Sequence, residues 1–120
     1  VKKARTTNPE RIELIRFLRK QGRENNASIW KDIAKRLGSS SRKNVVVNIS
    51  RLNRYTKKSE VVAVPGKVLS TGDINHPVTV AAFAFSQKAR EKVASAKGKC
   101  LSFSELVKKN PKGSNVRIIG

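Results

Sequence analysis

The stretch Val78-Thr79-Val80-Ala81-Ala82-Phe83-Ala84-Phe85 constrains the fold more than any other, because only Thr79 interrupts its apolar run. A strand with one wet face alternates apolar and polar residues. A strand without that alternation is buried on both faces, as in parallel sheets covered by helices on each side. The residues after Phe85 agree with such a sheet. Ser86 is placed to cap a helix whose apolar face is Ala89, Val93 and Ala96, ending at Gly98. Lys99-Cys100-Leu101 then reads as a short strand, and Ser102 with Glu105 forms an S-x-x-E capping box for a helix through about Lys109. Asn110-Pro111 breaks that helix, and Val116 to Ile119 forms a last strand. Strand, helix, strand, helix in this order predicts a right-handed βαβ crossover and an α/β core.

Upstream, the periodicity is helical. Asn8-Pro9 supplies an N-cap and a first-turn proline. Leu14, Ile15, Phe17 and Leu18 then share one face until Gly22 ends the pattern. Ser28 is expected to cap a second helix with the stripe Ile29, Trp30, Ile33, Ala34 and Leu37, closed by Gly38. Residues 39–44 form a polar, basic loop. Val45 to Ile49 reads as a β-branched strand, and Ser50 as the cap of a short helical turn carrying Arg51, Leu52, Arg54 and Tyr55. A strand from Val61 to Val64 is expected to stop at the turn dipeptide Pro65-Gly66, with Lys67 to Leu69 resuming extended structure before a Thr71-Gly72-Asp73 turn. The expected whole is an α/β unit: one domain over residues 1–120, with N-terminal helices, a small sheet and a basic arm at 1–8.

Charge narrows the function. Twenty-seven Lys and Arg against eight Asp and Glu give a formal net charge of +19. A folded domain tolerates such self-repulsion when it works against a polyanion, and the usual one in a cell is nucleic acid, met first through its phosphates. The excess is concentrated in residues 1–58, with 17 basic and 4 acidic residues. Four Phe, one Tyr and one Trp are too few for a sheet that stacks single-stranded bases. No apolar run suits a membrane span or signal peptide. The single cysteine, Cys100, fits a reducing compartment and reads as a structural thiol, so a cytoplasmic location is expected.

Catalysis has little to stand on. His76 is the only histidine and precedes Pro77 in a loop, so no metal site and no histidine network is expected. The carboxylates are scattered, and Glu105, Asp73 and Glu10 already have capping, turn and first-turn roles. Neither Gly66-Lys67 nor Gly98-Lys99 has the flanking residues of a phosphate-binding loop.

The basic clusters are the stronger signal. Arg42 and Lys43 lie in the polar loop, and Arg51, Arg54, Lys57 and Lys58 crowd around a turn, where guanidinium forks can meet phosphates. Arg51 and Arg54, three residues apart, share a helical face. Lys2, Lys3 and Arg5 resemble a basic arm. Asn48, inside a valine-rich strand, either ties down a neighbouring loop or contacts nucleic acid. Arg16, Arg19, Lys20, Lys31 and Lys35 read equally well as a solvated face, and Lys88, Arg90 and Lys92 read as solvent-exposed. Two helices and then a strand also allow a DNA-binding helix-turn-helix module. The Gln21 to Ala27 connection is long for that motif.

Several strings, in order, carry a resemblance. Val47-Asn48-Ile49-Ser50-Arg51-Leu52, preceded by Arg42-Lys43, is similar to the signature of the archaeal and eukaryotic large-subunit ribosomal protein family eighteen-e, itself similar to bacterial large-subunit ribosomal protein fifteen. Val64-Pro65-Gly66-Lys67-Val68-Leu69, Val78 to Phe83, Asn110-Pro111-Lys112-Gly113-Ser114 and Val116-Arg117-Ile118-Ile119-Gly120 extend the likeness over nearly the whole chain. The resemblance implies an α/β fold seated on large-subunit ribosomal RNA beside neighbouring ribosomal proteins. It also implies a structural and assembly role, with no cofactor, no membrane and no small-molecule substrate. RNA-facing positions carried over are Arg42, Lys43, Asn48, Arg51, Arg54, Lys67 and Lys112; Lys57, Lys58, Arg117 and the arm residues complete the candidate set. Asn115 departs from the Gly-Ser-Gly expected there, which bears on how tight the last turn is.

Overall fold

The computed structural model describes residues 9–38 and 45–120. In chain order the elements are α1 (Pro9–Glu24), α2 (Ser28–Leu37), β1 (Val46–Asn48), α3 (Ile49–Tyr55), β2 (Glu60–Leu69), β3 (Val78–Phe85), α4 (Gln87–Ser95), β4 (Lys99–Leu101), α5 (Phe103–Lys109) and β5 (Val116–Ile118). Every strand pairing is parallel. β3 and then β4 lie on one side of β2, whose other edge is shared: β5 pairs with Val61–Ala63 and β1 with Lys67–Leu69.

The expected burial of β3 on both faces is what the sheet shows. Successive strand residues point to opposite faces. Thus Ala63, Ala81 and Phe83 meet Leu18, Trp30, Ile33, Leu37, Phe103 and Leu106 on one side. Val62, Val64, Val78, Val80 and Ala82 meet Ile49, Leu52, Ala89 and Val93 on the other. α1, α2 and α5 therefore cover one face, and α3 and α4 the other. The Trp30 indole is fully buried, and its Nε1–H donates to the Pro111 carbonyl at 2.7 Å, which satisfies the only polar atom it brings inside.

Pro65-Gly66 does not end a strand. β2 runs straight through it as a bulge: Val64 pairs with Ala82 and Lys67 with Ala84, so two residues face one on β3. On the other edge this is where β5 hands over to β1. The Ile119 amide donates to the Ala63 carbonyl at 3.0 Å and the Lys67 amide to the Val45 carbonyl at 2.9 Å. Pro65, which lacks an N–H, sits between the two ladders where no donor is needed. A Cβ on Gly66 would run into the Val45 carbonyl, so glycine is there for close backbone approach and not for a turn.

Other boundaries moved as well, among them the end of α4, at Ser95 and not Gly98, and β1, which gives Ile49 to α3. α1 continues past Gly22 to Glu24, because Gly22 is buried against α2 and a Cβ there would lie 2.7 Å from the Lys31 side chain. Ser28 is the first residue of α2; Ala27, nearly buried, holds the cap position without a side-chain bond. Asn48, not Ser50, is the N-cap residue of α3. The expected Asn8 cap and the 39–44 loop lie outside the described residues. Ser86 does cap α4, accepting from the Ala89 amide at 3.2 Å. The Ser102/Glu105 box closes with both bonds, at 3.0 and 3.2 Å.

Asn115 keeps the last turn tight by adopting φ 62°, the left-handed region where glycine was expected. Asparagine enters that region more readily than other residues with a side chain.

Candidate nucleic-acid interface

α3 is short, and its neighbours decide how it presents its side chains. Ile49 and Leu52 are fully buried in the second core, which turns Ser50, Arg51, Arg54 and Tyr55 outward. The segment from Ser70 to Pro77 then locks that orientation. Parallel strands are normally joined by a dozen or more residues, usually a helix, but only eight separate β2 from β3. They must return along a strand about 30 Å long at about 3.3 Å per residue, so they run almost fully extended.

In doing so they bond to α3 turn after turn. The Ser50 amide donates to the Thr71 carbonyl at 3.0 Å, and the Asn75 amide to Asn53 Oδ1 at 3.1 Å. The Thr56 hydroxyl donates to the Leu52 carbonyl at 2.6 Å and meets His76 Nε2 at 2.8 Å. His76 is thus a brace between the crossover and the end of α3. Ile74, nearly buried, pins the middle of the crossover to the core.

The result is a hollow of about 390 Å³ at the outer edge of the sheet, lined by Val46, Asn48, Ser50, Arg51, Arg54 and Tyr55. Arg51 and Arg54 share one face of α3, and each guanidinium carbon lies 6.0 Å from the centre of the Tyr55 ring. No carboxylate among the described residues lines the hollow. Among the described residues, the two large hydrophobic side chains left exposed are Val46 (47%) and Tyr55 (49%), and both belong to it. An aromatic face flanked by two arginine forks suits an unpaired base together with its phosphates.

The expected site residues divide accordingly. Arg51, Arg54 and Asn48 come together in the hollow. Asn48 is half-buried, and its side chain makes no capping bond to α3. Lys67 is the register partner of Val46, so its exposed side chain stands on the same sheet face, one strand further in. Lys57 and Lys58 are exposed just past the end of α3.

Arg117 and Lys112 have internal partners. Arg117 Nη1 donates to the Tyr55 carbonyl at 2.8 Å and pairs with Glu60 at 3.4 Å, fastening β5 to the end of α3. Lys112 Nζ donates to the Asn25 carbonyl at 2.9 Å, between α1 and α2. The Glu60 carboxyl is held below its ordinary value first by the Lys57 amide it accepts from, with Arg117 adding to that against desolvation. Lys2, Lys3, Arg5, Arg42 and Lys43 lie outside the described residues.

Sequence reasoning missed Tyr55 and Val46 as site residues. The signal was available for Tyr55: a lone tyrosine directly after two spaced arginines, in a chain with few aromatics. Cys100, expected as a buried structural thiol, is only half-buried, and desolvation raises its thiol pKa despite the opposing charge of Arg90.

Fold and site together define a basic α/β protein with an exposed arginine–tyrosine surface at the edge of its sheet. The model of the family described as ribosomal protein 60S L18 and 50S L18e matches residues 2–120. Proteins named large ribosomal subunit protein eL18 align almost end to end. The one from Methanococcus maripaludis is 46% identical over 99% of both chains. Its counterpart in Methanothermobacter thermautotrophicus is 47% identical over 99% of this chain and 98% of its own, and that of Archaeoglobus fulgidus 45% over 96% and 98%. The chain belongs to the L18/L18e ribosomal protein family. This leaves the helix-turn-helix alternative without support, and α1 and α2 spend their apolar stripes on the sheet.

Proposed function

We propose that the chain is a structural, non-enzymatic constituent of the large ribosomal subunit that binds ribosomal RNA through the α3 hollow and supports subunit assembly. The observation that carries this is the convergence of Arg51, Arg54 and Tyr55 on one braced helix, with no carboxylate among them. The relatives' shared name and the family match support the same reading.

In this reading the chain works in the cytoplasm with the ribosome and beside other ribosomal proteins. Its 120 residues act as one rRNA-binding unit, with residues 1–8 as a basic arm. Arg51 and Arg54 take phosphates, Tyr55 stacks on a base, and Asn48 offers its amide to a base edge or ribose hydroxyl. Lys57, Lys58 and Lys67 widen the positive rim. Lys2, Lys3, Arg5, Arg42 and Lys43 add phosphate contacts, while Lys112 and Arg117 contribute with the donor capacity that their internal bonds leave over. RNA shape supplies the specificity.

Phosphate contacts release counterions, so affinity falls with salt in proportion to their number. The Arg51→Ala/Arg54→Ala double variant should bind large-subunit rRNA more weakly, with a salt slope shallower by about 1 for each arginine lost. Titrations at several potassium chloride concentrations give the slope. A double variant with unchanged affinity and slope would falsify the assignment of these two residues.

A further inference from the structure

The helices on the other face of the sheet carry a basic surface that the α3 hollow does not use. Arg16, Arg19, Lys20 and Arg23 are all exposed and fall within an arc of about 100° on α1, at 3.6 residues per turn. The surface continues onto α2. The Lys31 side chain lies over Gly22, directly before Arg23 and one turn after Arg19, and Lys35 follows Lys31 by one turn, also exposed. The signs are kept apart. Glu10, Glu13 and Glu24, the acids of α1, project together from its flank away from α2. Asp32, the acid of α2, pairs with Arg36 at 3.2 Å. Lys20 has a loose partner in Glu24 at 3.9 Å, but the side chains of Arg16, Arg19, Arg23, Lys31 and Lys35 make no ion pair among the described residues. A face that only meets solvent intersperses both signs.

The composition of this surface selects its occupant. Protein interfaces are built on aromatic or aliphatic anchors, with charge depleted at their core. The exposed large hydrophobic side chains among the described residues, Val46 and Tyr55, both belong to the hollow, and Ile12, one turn before Arg16, is half-buried. Interfaces with nucleic acid are polar and strongly positive. An unpaired strand would also want rings for its bases, which this surface lacks. Double-helical RNA asks for neither anchor nor ring, since it is met through its shape, phosphates and ribose hydroxyls. The 16 residues of α1 give it a rod about 24 Å long to lie against.

We infer that the α1–α2 surface seats the backbone of a double-helical RNA segment, so that the chain holds two RNA segments, one from each side of its sheet. α1 and α2 pack on the sheet face opposite to α3, and a straight duplex lying on them does not reach the hollow. The inference rests on the proposed binding of rRNA and adds a second contact to it.

Hydroxyl-radical footprinting of the full chain on large-subunit rRNA tests this. The parent chain should protect two sets of nucleotides. Arg16→Gln/Arg19→Gln/Arg23→Gln should lose one set, in paired RNA, and keep the set that Arg51→Ala/Arg54→Ala loses. Its salt slope should be shallower by about 1 for each arginine replaced. Lys31→Gln/Lys35→Gln should weaken the same paired set from the neighbouring helix, which separates lost contacts from a disturbed α1. An unchanged footprint and slope in both variants would overturn the inference and leave binding through the hollow standing. A full footprint from variants that no longer retain a protein neighbour in the subunit would overturn it too, by giving the surface to an acidic protein. A parent chain that protects no nucleotide would overturn the rRNA-binding reading itself, and this inference with it.

Discussion

Tyr55 does two things at once. Its carbonyl holds Arg117, and its ring sits within reach of two guanidinium groups. Replacing the side chain leaves the carbonyl in place, so the ring's part can be tested without loosening β5. Tyr55→Ala should lose about 1–3 kcal/mol of rRNA affinity, the usual worth of one base stacked on an aromatic ring. Tyr55→Phe should lose little. Unlike the arginine variants, neither should change the salt slope, since no counterion is released at a ring. A slope that shifts with Tyr55→Ala would assign the ring to holding the arginines and not to a base. Arg51 and Arg54 were legible in the sequence because charge and helical spacing are both local properties. Tyr55 was not singled out: its place after two spaced arginines was a local signal, but its exposure also depends on how the Ser70–Pro77 crossover fixes the rotation of α3.

Among the elements, those whose ends are set by their own residues were read correctly. β3 ends where the apolar run ends, α4 starts where the Ser86 hydroxyl can reach the Ala89 amide, and α5 starts at a complete capping box. Elements whose ends depend on a neighbouring chain segment were misread. Gly22 looks like a helix stop unless α2 is known to pack on it, and Pro65-Gly66 looks like a turn unless two partner strands are known to meet beside it. The second case yields a prediction. Gly66→Ala would force a methyl group into the Val45 carbonyl and should destabilise the fold by about 1–3 kcal/mol, the range for overpacked sites. Because β1 leads directly into α3, the same variant should also weaken rRNA binding despite leaving every arginine untouched. Urea midpoints and binding titrations on the same preparation check both halves. A variant as stable as the parent would mean that β1 shifts freely along β2, contrary to a register fixed by the bulge.

At the scale of the whole molecule, positive charge goes largely unanswered. Four ion pairs join described residues, involving Glu24, Asp32, Glu60 and Asp73, and all four lie at least partly in solvent, where such pairs contribute little. Against a net charge of +19, mutual repulsion should therefore outweigh them in the free chain. Raising salt from about 0.1 M to about 1 M shortens the screening length from about 10 Å to about 3 Å. The melting temperature of the RNA-free protein should rise over that range while its affinity for rRNA falls, both through screening of the same charges. Acid should act in the opposite direction to salt. The Lys57 and Ser102 amides that Glu60 and Glu105 accept from hold their carboxyls below the ordinary glutamate range. Their stabilisation is complete above the unfolded-state value and is lost as pH falls through the lowered folded values. Each proton taken up there also adds to the positive charge, so acid unfolding should begin at a higher pH in low salt than in high salt. Melting curves on a grid of pH and potassium chloride measure both effects. A melting temperature that drops with added salt at neutral pH would mean that the four ion pairs outweigh the repulsion, and the chain would then need no polyanion to relieve it.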